Sequence, residues 1–110
     1  MEFVADLSQE LLCDDVTNMG VKRFDPRQAT LVFKSINGSG ASAYTEVETY
    51  HFITRDGIDI RLEFPRHGIF RKTVVKPYLY QLSRERMRAS LSVSGCPIEI
   101  IEKSFGPQVI

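Results

Sequence analysis

Residues 43–64 read AYTEVETYHFITRDGIDIRLEF, and the dipeptide Asp56-Gly57 inside that stretch decides how the chain is organised. Both central residues of a type I′ turn need positive φ, which Asp and Gly tolerate, so Asp-Gly between two β-prone runs is a strong hairpin signal. Downstream of it Ile58, Ile60, Leu62 and Phe64 alternate with Asp59, Arg61 and Glu63, the pattern of a strand with one buried face. With Asp56-Gly57 as the two central residues, Ile53 faces Ile60, His51 faces Leu62 and Thr49 faces Phe64, and Val47 shares this core side. Phe52 then faces Arg61 and Tyr50 faces Glu63 on the reverse side.

Upstream, residues 29–36 are rich in β-branched and aromatic side chains and read as a further strand, followed by a Gly- and Ser-rich turn over 37–42. Pairing across that turn adds Leu31, Phe33 and Tyr44 to Tyr50 and Phe52. The expected sheet is therefore apolar on both faces, unlike a sheet with one side in water. A contiguous apolar patch of this kind normally marks a contact surface. Its expected members are Leu31, Phe33, Tyr44, Tyr50 and Phe52, with Tyr80 and Met87 added from a neighbouring helix.

The rest of the chain is read from periodicity. Over residues 2–18, Val4, Leu7, Leu11, Leu12, Val16 and Met19 share one helical arc, while Glu2, Asp6, Glu10 and Asp14 form an i, i+4 line opposite. This predicts an N-terminal amphipathic helix stopped by Gly20. A short strand is expected over 69–75. Pro77 suits the first position of a second helix, near residues 77–89, although Tyr78, Tyr80 and Leu82 also alternate as a strand would. Short strands over 91–93 and 98–104, separated by a turn at 94–97, complete the prediction. The expected fold is α+β: one domain over residues 1–110, with an antiparallel sheet of about five to six strands meandering around the Asp56-Gly57 hairpin.

A chain of 110 residues, 43% hydrophobic and 25% charged, is large and apolar enough for one buried core and far from the composition of disorder. The formal net charge is zero, but it is unevenly spread: Glu2, Asp6, Glu10, Asp14 and Asp15 precede any Lys or Arg. The stretch from 66 to 88 holds Arg66, His67, Arg71, Lys72, Lys76, Arg84 and Arg88 among Phe70, Tyr78 and Tyr80. Such a mixture can hold an anion or single-stranded nucleic acid through charge and stacking. A neutral chain has little long-range field to attract a polyanion, so nucleic-acid binding is the alternative reading. There is no opening apolar leader and no run of membrane-spanning length, which makes a cytoplasmic setting with both cysteines reduced the expectation.

Candidate chemistry is sparse. Cys13 and Cys96 have neither zinc-site nor CxxC spacing, and Cys96 has no adjacent base. Gly38-Ser39-Gly40 lacks the Lys-Ser/Thr ending of a phosphate loop. His51 and His67 are the only histidines, and one or the other would have to centre any small enzyme. No catalytic residue, cofactor or metal is expected. The function that fits best is a non-catalytic binding or assembly protein of the bacterial or phage accessory kind. It would act as a homo-oligomer or on another protein.

Overall fold

The computed structural model describes residues 3–39, 42–67 and 76–107. Six strands form one sheet: β1 (Leu11–Asp15), β2 (Gly20–Phe24), β3 (Ala29–Ser39), β4 (Ser42–Thr54), β5 (Asp59–His67) and β6 (Tyr78–Leu82). A 3-10 turn over Pro26–Gln28 links β2 to β3, and α1 (Arg84–Val93) and α2 (Ile98–Phe105) follow β6. The strand order is β2-β1-β6-β5-β4-β3, with antiparallel neighbours except for the parallel β1–β6 pair. The expected α+β class, with a mostly antiparallel sheet, is what forms.

The β4–β5 hairpin turns at Asp56-Gly57, in a register one residue away from the expected one. Gly57 alone takes positive φ there, at 80°. Thr54 N–H donates to the Ile58 carbonyl (2.9 Å), Gly57 N–H to the Thr54 carbonyl (3.0 Å) and Ile58 N–H to Thr54 Oγ1 (3.0 Å). The loop is thus the three residues Arg55, Asp56 and Gly57, with glycine at the left-handed position, and not a two-residue type I′ turn. Phe52 consequently pairs with Ile60, His51 with Arg61, Tyr50 with Leu62 and Thr49 with Glu63. Because side chains alternate with period two, this slip exchanges the two faces of β4 completely. Replacing Gly57 by Ala meets no atom within 4 Å, so only the backbone is strained. The expected loss is about 1 kcal/mol, read as a lower urea midpoint at unchanged m-value.

The exchange places Tyr50 and Phe52 in the main core with Ile60, Leu62, Phe64, Leu79, Cys13 and Phe24. Phe24 on β2 and Phe52 on β4 are four positions apart in the sheet order, yet their ring centroids are 5.3 Å apart. A flat sheet would separate them by about 19 Å. The sheet is therefore strongly rolled, with this core on its concave side. An extended strap over residues 3–7 closes that side, with Phe3, Ala5 and Leu7 packed inward and Asp6 outward.

The second face carries Phe33, His51, Arg61 and Leu82, over which α1 and α2 pack through Met87, Leu91, Cys96 and Ile101. A β-bulge between Leu31 and Phe33 lets Val32 and Phe33 both join this cluster.

Several expected elements are corrected. Of the helix expected over residues 2–18, the described residues 3–18 form none: the strap is extended, and β1 and β2 make a hairpin whose turn is built on Asp15. Its carboxylate accepts from the backbone N–H groups of Thr17 and Asn18 (both 3.1 Å) and from the Asn18 amide (2.8 Å). Asx chemistry of this kind competes with the helix ladder, and packing of Phe3, Ala5, Leu7 and Cys13 at period two outweighs the helical periodicity. The second helix begins at Arg84, not Pro77, because Tyr78–Leu82 pairs between β1 and β5 as β6. Ser83 caps α1, accepting from Arg86 N–H (3.2 Å). Residues 91–93 are its last turn, which Gly95 ends at φ 88°. There the Cys96 N–H reaches the Leu91 carbonyl (3.0 Å) and the Gly95 N–H that of Ser92 (3.1 Å). Residues 98–104 are helical too. Pro97 precedes α2, Glu99 and Lys103 sit at its matching ends, and Gly106 follows with φ 78°. The strand expected over 69–75 lies outside the described residues, as do Gly40 and Ala41 of the 37–42 turn.

Candidate functional site

Where the helices stop, the second face of the sheet is open. A cleft of about 790 Å3 lies between α1 and strands β3 to β6, with the β1–β2 turn at its far wall. Ser90 and Arg86 project from α1, Arg61 and Glu63 from β5, Tyr80 and Leu82 from β6, and Val16 and Thr17 from the turn. The turn is tied to the cleft wall because Gln81 N–H donates to Thr17 Oγ1 (2.9 Å) and Val16 N–H to the Leu79 carbonyl (2.9 Å). A volume of this size suits a small ligand or a short stretch of another chain.

Arg61 organises the floor. Its Nη1 donates to Ser90 Oγ (3.1 Å), its guanidinium lies 4.3 Å from the centroid of the Tyr80 ring, and its Nε is 3.4 Å from Glu63 Oε2. Beneath it His51, fully buried, places Nε2 2.8 Å from the same Ser90 Oγ. The Ser90 hydroxyl has one hydrogen and two lone pairs, so it can meet Arg61 and either tautomer of the neutral His51 ring at once. Burial, and then the Arg61 charge, push His51 down to about 4, so the ring is neutral at pH 7. The Tyr80 hydroxyl is pushed upward, first by burial and then by Glu63.

A serine beside a histidine invites comparison with a nucleophile and its base. A useful base titrates near the working pH and has its second nitrogen oriented by a third group. His51 is held far below neutrality, and its Nδ1 meets no hydrogen-bond partner among the described residues. The constellation fits a structural tie between sheet and helix.

The residues expected to form an apolar contact face are not brought together. Tyr50 and Phe52 are core residues, Met87 is sealed under α1 and Phe33 is half-buried beneath the helices, while Leu31 is exposed on the edge strand β3. The side chain of Tyr44 lies outside the described residues. Tyr80 alone of that set lines the cleft.

The basic set is also dispersed. Arg66 is buried, with its Nε 3.2 Å from Glu48 and Nη2 3.4 Å from Glu46. Lys76 pairs with Asp14 (2.9 Å), Arg84 pairs with Asp59 (2.6 Å), and Arg88 donates to the carbonyls of Phe105 (2.9 Å) and Gly106 (2.8 Å). Arg71, Lys72 and the His67 side chain lie outside the described residues.

Burial pushes the Cys13 thiol up to about 11 and the Cys96 thiol upward as well, which suits inert core thiols. Among the described residues no group of three or more His, Cys, Asp or Glu could share a metal ion, and no helix is long and apolar enough to cross a membrane.

Sequence reasoning missed Ser90 and Thr17, for which a serine in a helix and a threonine in a turn give no signal. Arg61 and Glu63 were legible as one polar face of β5, and only the register was needed to place them under α1. Compared with known proteins, the chain matches no family model, no curated protein and no solved structure.

Proposed function

We propose that the protein is a non-catalytic binding or assembly protein whose contact surface is the uncovered half of the second sheet face. The observation that carries this reading is the apolar stripe beside the cleft. Leu12 on β1, Val21 on β2 and Tyr78 on β6 are exposed on the outer side around the Asp14–Lys76 ion pair, with Val16 and Met19 exposed in the turn beside them. Exposed apolar residues are ordinary when scattered, but a run of them along three adjacent strands is the usual mark of a protein contact. The partner that fits is a second copy of this chain. A zero net charge sets no electrostatic barrier to self-association, and the edge strand β2 offers its open backbone next to the stripe.

Light scattering on the purified protein at tens of micromolar tests the reading. The expected mass exceeds that of the monomer and returns to it with Val21→Glu or Leu12→Glu, both at exposed positions where folding tolerates the change. A monomeric mass that neither substitution alters removes self-association through this face.

A further inference from the structure

The cleft beside the stripe has a chemistry of its own. Its walls carry two cations, Arg61 and Arg86, against one acid, Glu63. The two cations differ in how they are held. Arg61 is fixed from three directions, by Ser90 Oγ at 3.1 Å, by the Tyr80 ring at 4.3 Å and by Glu63 at 3.4 Å. Of its five N–H groups one donates to Ser90 Oγ, one serves the Tyr80 hydroxyl and the Nε–H is buried, which leaves two for a ligand. Arg86 is exposed on the first turn of α1, with no hydrogen bond or ion pair to its side chain among the described residues. A preorganised guanidinium with donors to spare, in the same cleft as a second, exposed one, is an arrangement that favours an oxyanion through paired N–H···O bonds. The rest of the lining is apolar or neutral: Tyr80, Leu82 and Val93 border the cations, and Ser94, Asn37 and Thr49 offer small polar groups.

We infer that this cleft binds a small organic oxyanion, its anionic end held by Arg61 and Arg86 and its apolar end laid along Tyr80, Leu82 and Val93. The inference rests on the binding-protein reading above and names what the cleft selects. A carboxylate and a phosphate monoester present the same paired acceptors to a guanidinium, so the shared chemistry is the oxyanion joined to an apolar group about the size of one ring. The volume of about 790 Å3 leaves room for a larger ligand that shares this end.

The test is a titration of the whole chain, followed by amide chemical shifts, with benzoate, phenyl phosphate, inorganic phosphate and benzylamine as probes. Benzoate, phenyl phosphate or both are expected to give saturable shifts at Gln81, Ser90 and Ser94, and the tighter of the two identifies the anion class. Benzylamine is expected to give none, and inorganic phosphate at least ~tenfold weaker binding for want of the apolar end. Arg61→Gln is expected to weaken binding at least ~tenfold, the loss of a charge-assisted pair. Arg86→Glu, at an exposed site that folding does not depend on, is expected to weaken it at least ~tenfold as well. Absence of saturable shifts with both organic anions overturns the inference, as does equal binding of benzylamine. So does an affinity that Arg86→Glu leaves unchanged. Inorganic phosphate binding as tightly as phenyl phosphate overturns the apolar half. Light scattering on the same samples separates the two proposals: an oligomer that ignores both anions retains the assembly reading without this one, and a monomer that binds them does the reverse.

Discussion

Glu48→Ala is expected to cost about 3–5 kcal/mol of folding stability, a large share of the total for a domain of this size. Glu48 is fully buried in the middle of β4, and its carboxylate gathers groups from the strap, from β5 and from Tyr50 two residues along its own strand. Oε1 accepts from the Tyr50 hydroxyl (2.8 Å) and from the Val4 and Ala5 N–H groups (3.1 and 3.2 Å). Oε2 lies 3.2 Å from Arg66 Nε and also accepts from Val4 N–H (3.1 Å). Truncation would leave a buried phenol, two backbone donors and part of a buried guanidinium without this acceptor, and the cost of such groups is what makes the loss large. Arg66 keeps Glu46 at 3.4 Å, which holds the figure below that for an isolated buried charge.

The same substitution should loosen the strap over residues 3–7, because Val4 and Ala5 are tied to the sheet by that carboxylate. Phe3 would still pack on Tyr50, with ring centroids 5.8 Å apart, and under the Lys34 ammonium at 4.6 Å. Urea unfolding gives the global cost, and hydrogen exchange at Val4 and Ala5 gives the local one. Glu48→Gln, which keeps an acceptor and loses the charge, should fall between wild type and Glu48→Ala. A loss under about 1 kcal/mol for Glu48→Ala would show that apolar packing alone holds the strap.

The strap and the hairpin also show what the sequence could and could not disclose. The helix expected near the N-terminus rested on an acidic i, i+4 line and a real apolar arc. Period two was equally present in Phe3, Ala5 and Leu7, and Asp15-Val16-Thr17-Asn18 held a turn that outweighed the arc. Local pattern was ambiguous there, and the deciding interaction, Glu48 with the strap, spans more than forty residues. At Asp56-Gly57 the turn was legible but its length was not, since Asp-Gly serves two-residue and three-residue loops alike. Matching faces would have resolved it: Tyr50 and Phe52 are the larger apolar pair on β4 and belong opposite Ile60 and Leu62. The cleft depended on that register, and on a helix whose start at Ser83 was hidden by Pro77. Arg61, Glu63 and Tyr80 were therefore readable singly and not as a group, and Ser90 and Thr17 not at all.

His51 makes the register testable through pH. In an unfolded chain its imidazole takes up a proton near 6.5, whereas in the fold burial and the facing Arg61 hold it to about 4. Between those values the unfolded chain binds a proton that the folded chain refuses. Stability is therefore full above about pH 6.5 and falls as the pH drops towards 4. At ~1.4 kcal/mol per pH unit the interval amounts to about 3 kcal/mol, undiminished by solvent because the ring is wholly enclosed. Carboxylates add their own dependence mainly below pH 5, so the upper part of the window belongs to histidine. Urea midpoints for wild type and His51→Gln, taken between pH 7 and pH 4.5, isolate it. The variant can still offer an amide to Ser90 and should lose stability at pH 7, but its midpoint should change little between pH 7 and pH 5.5, where that of the wild type declines. Parallel curves for the two proteins would mean that His51 is accessible to protons in the fold. The imidazole would then not lie between Arg61 and α1, and the one-residue slip at Asp56-Gly57 that puts it there would have to be given up.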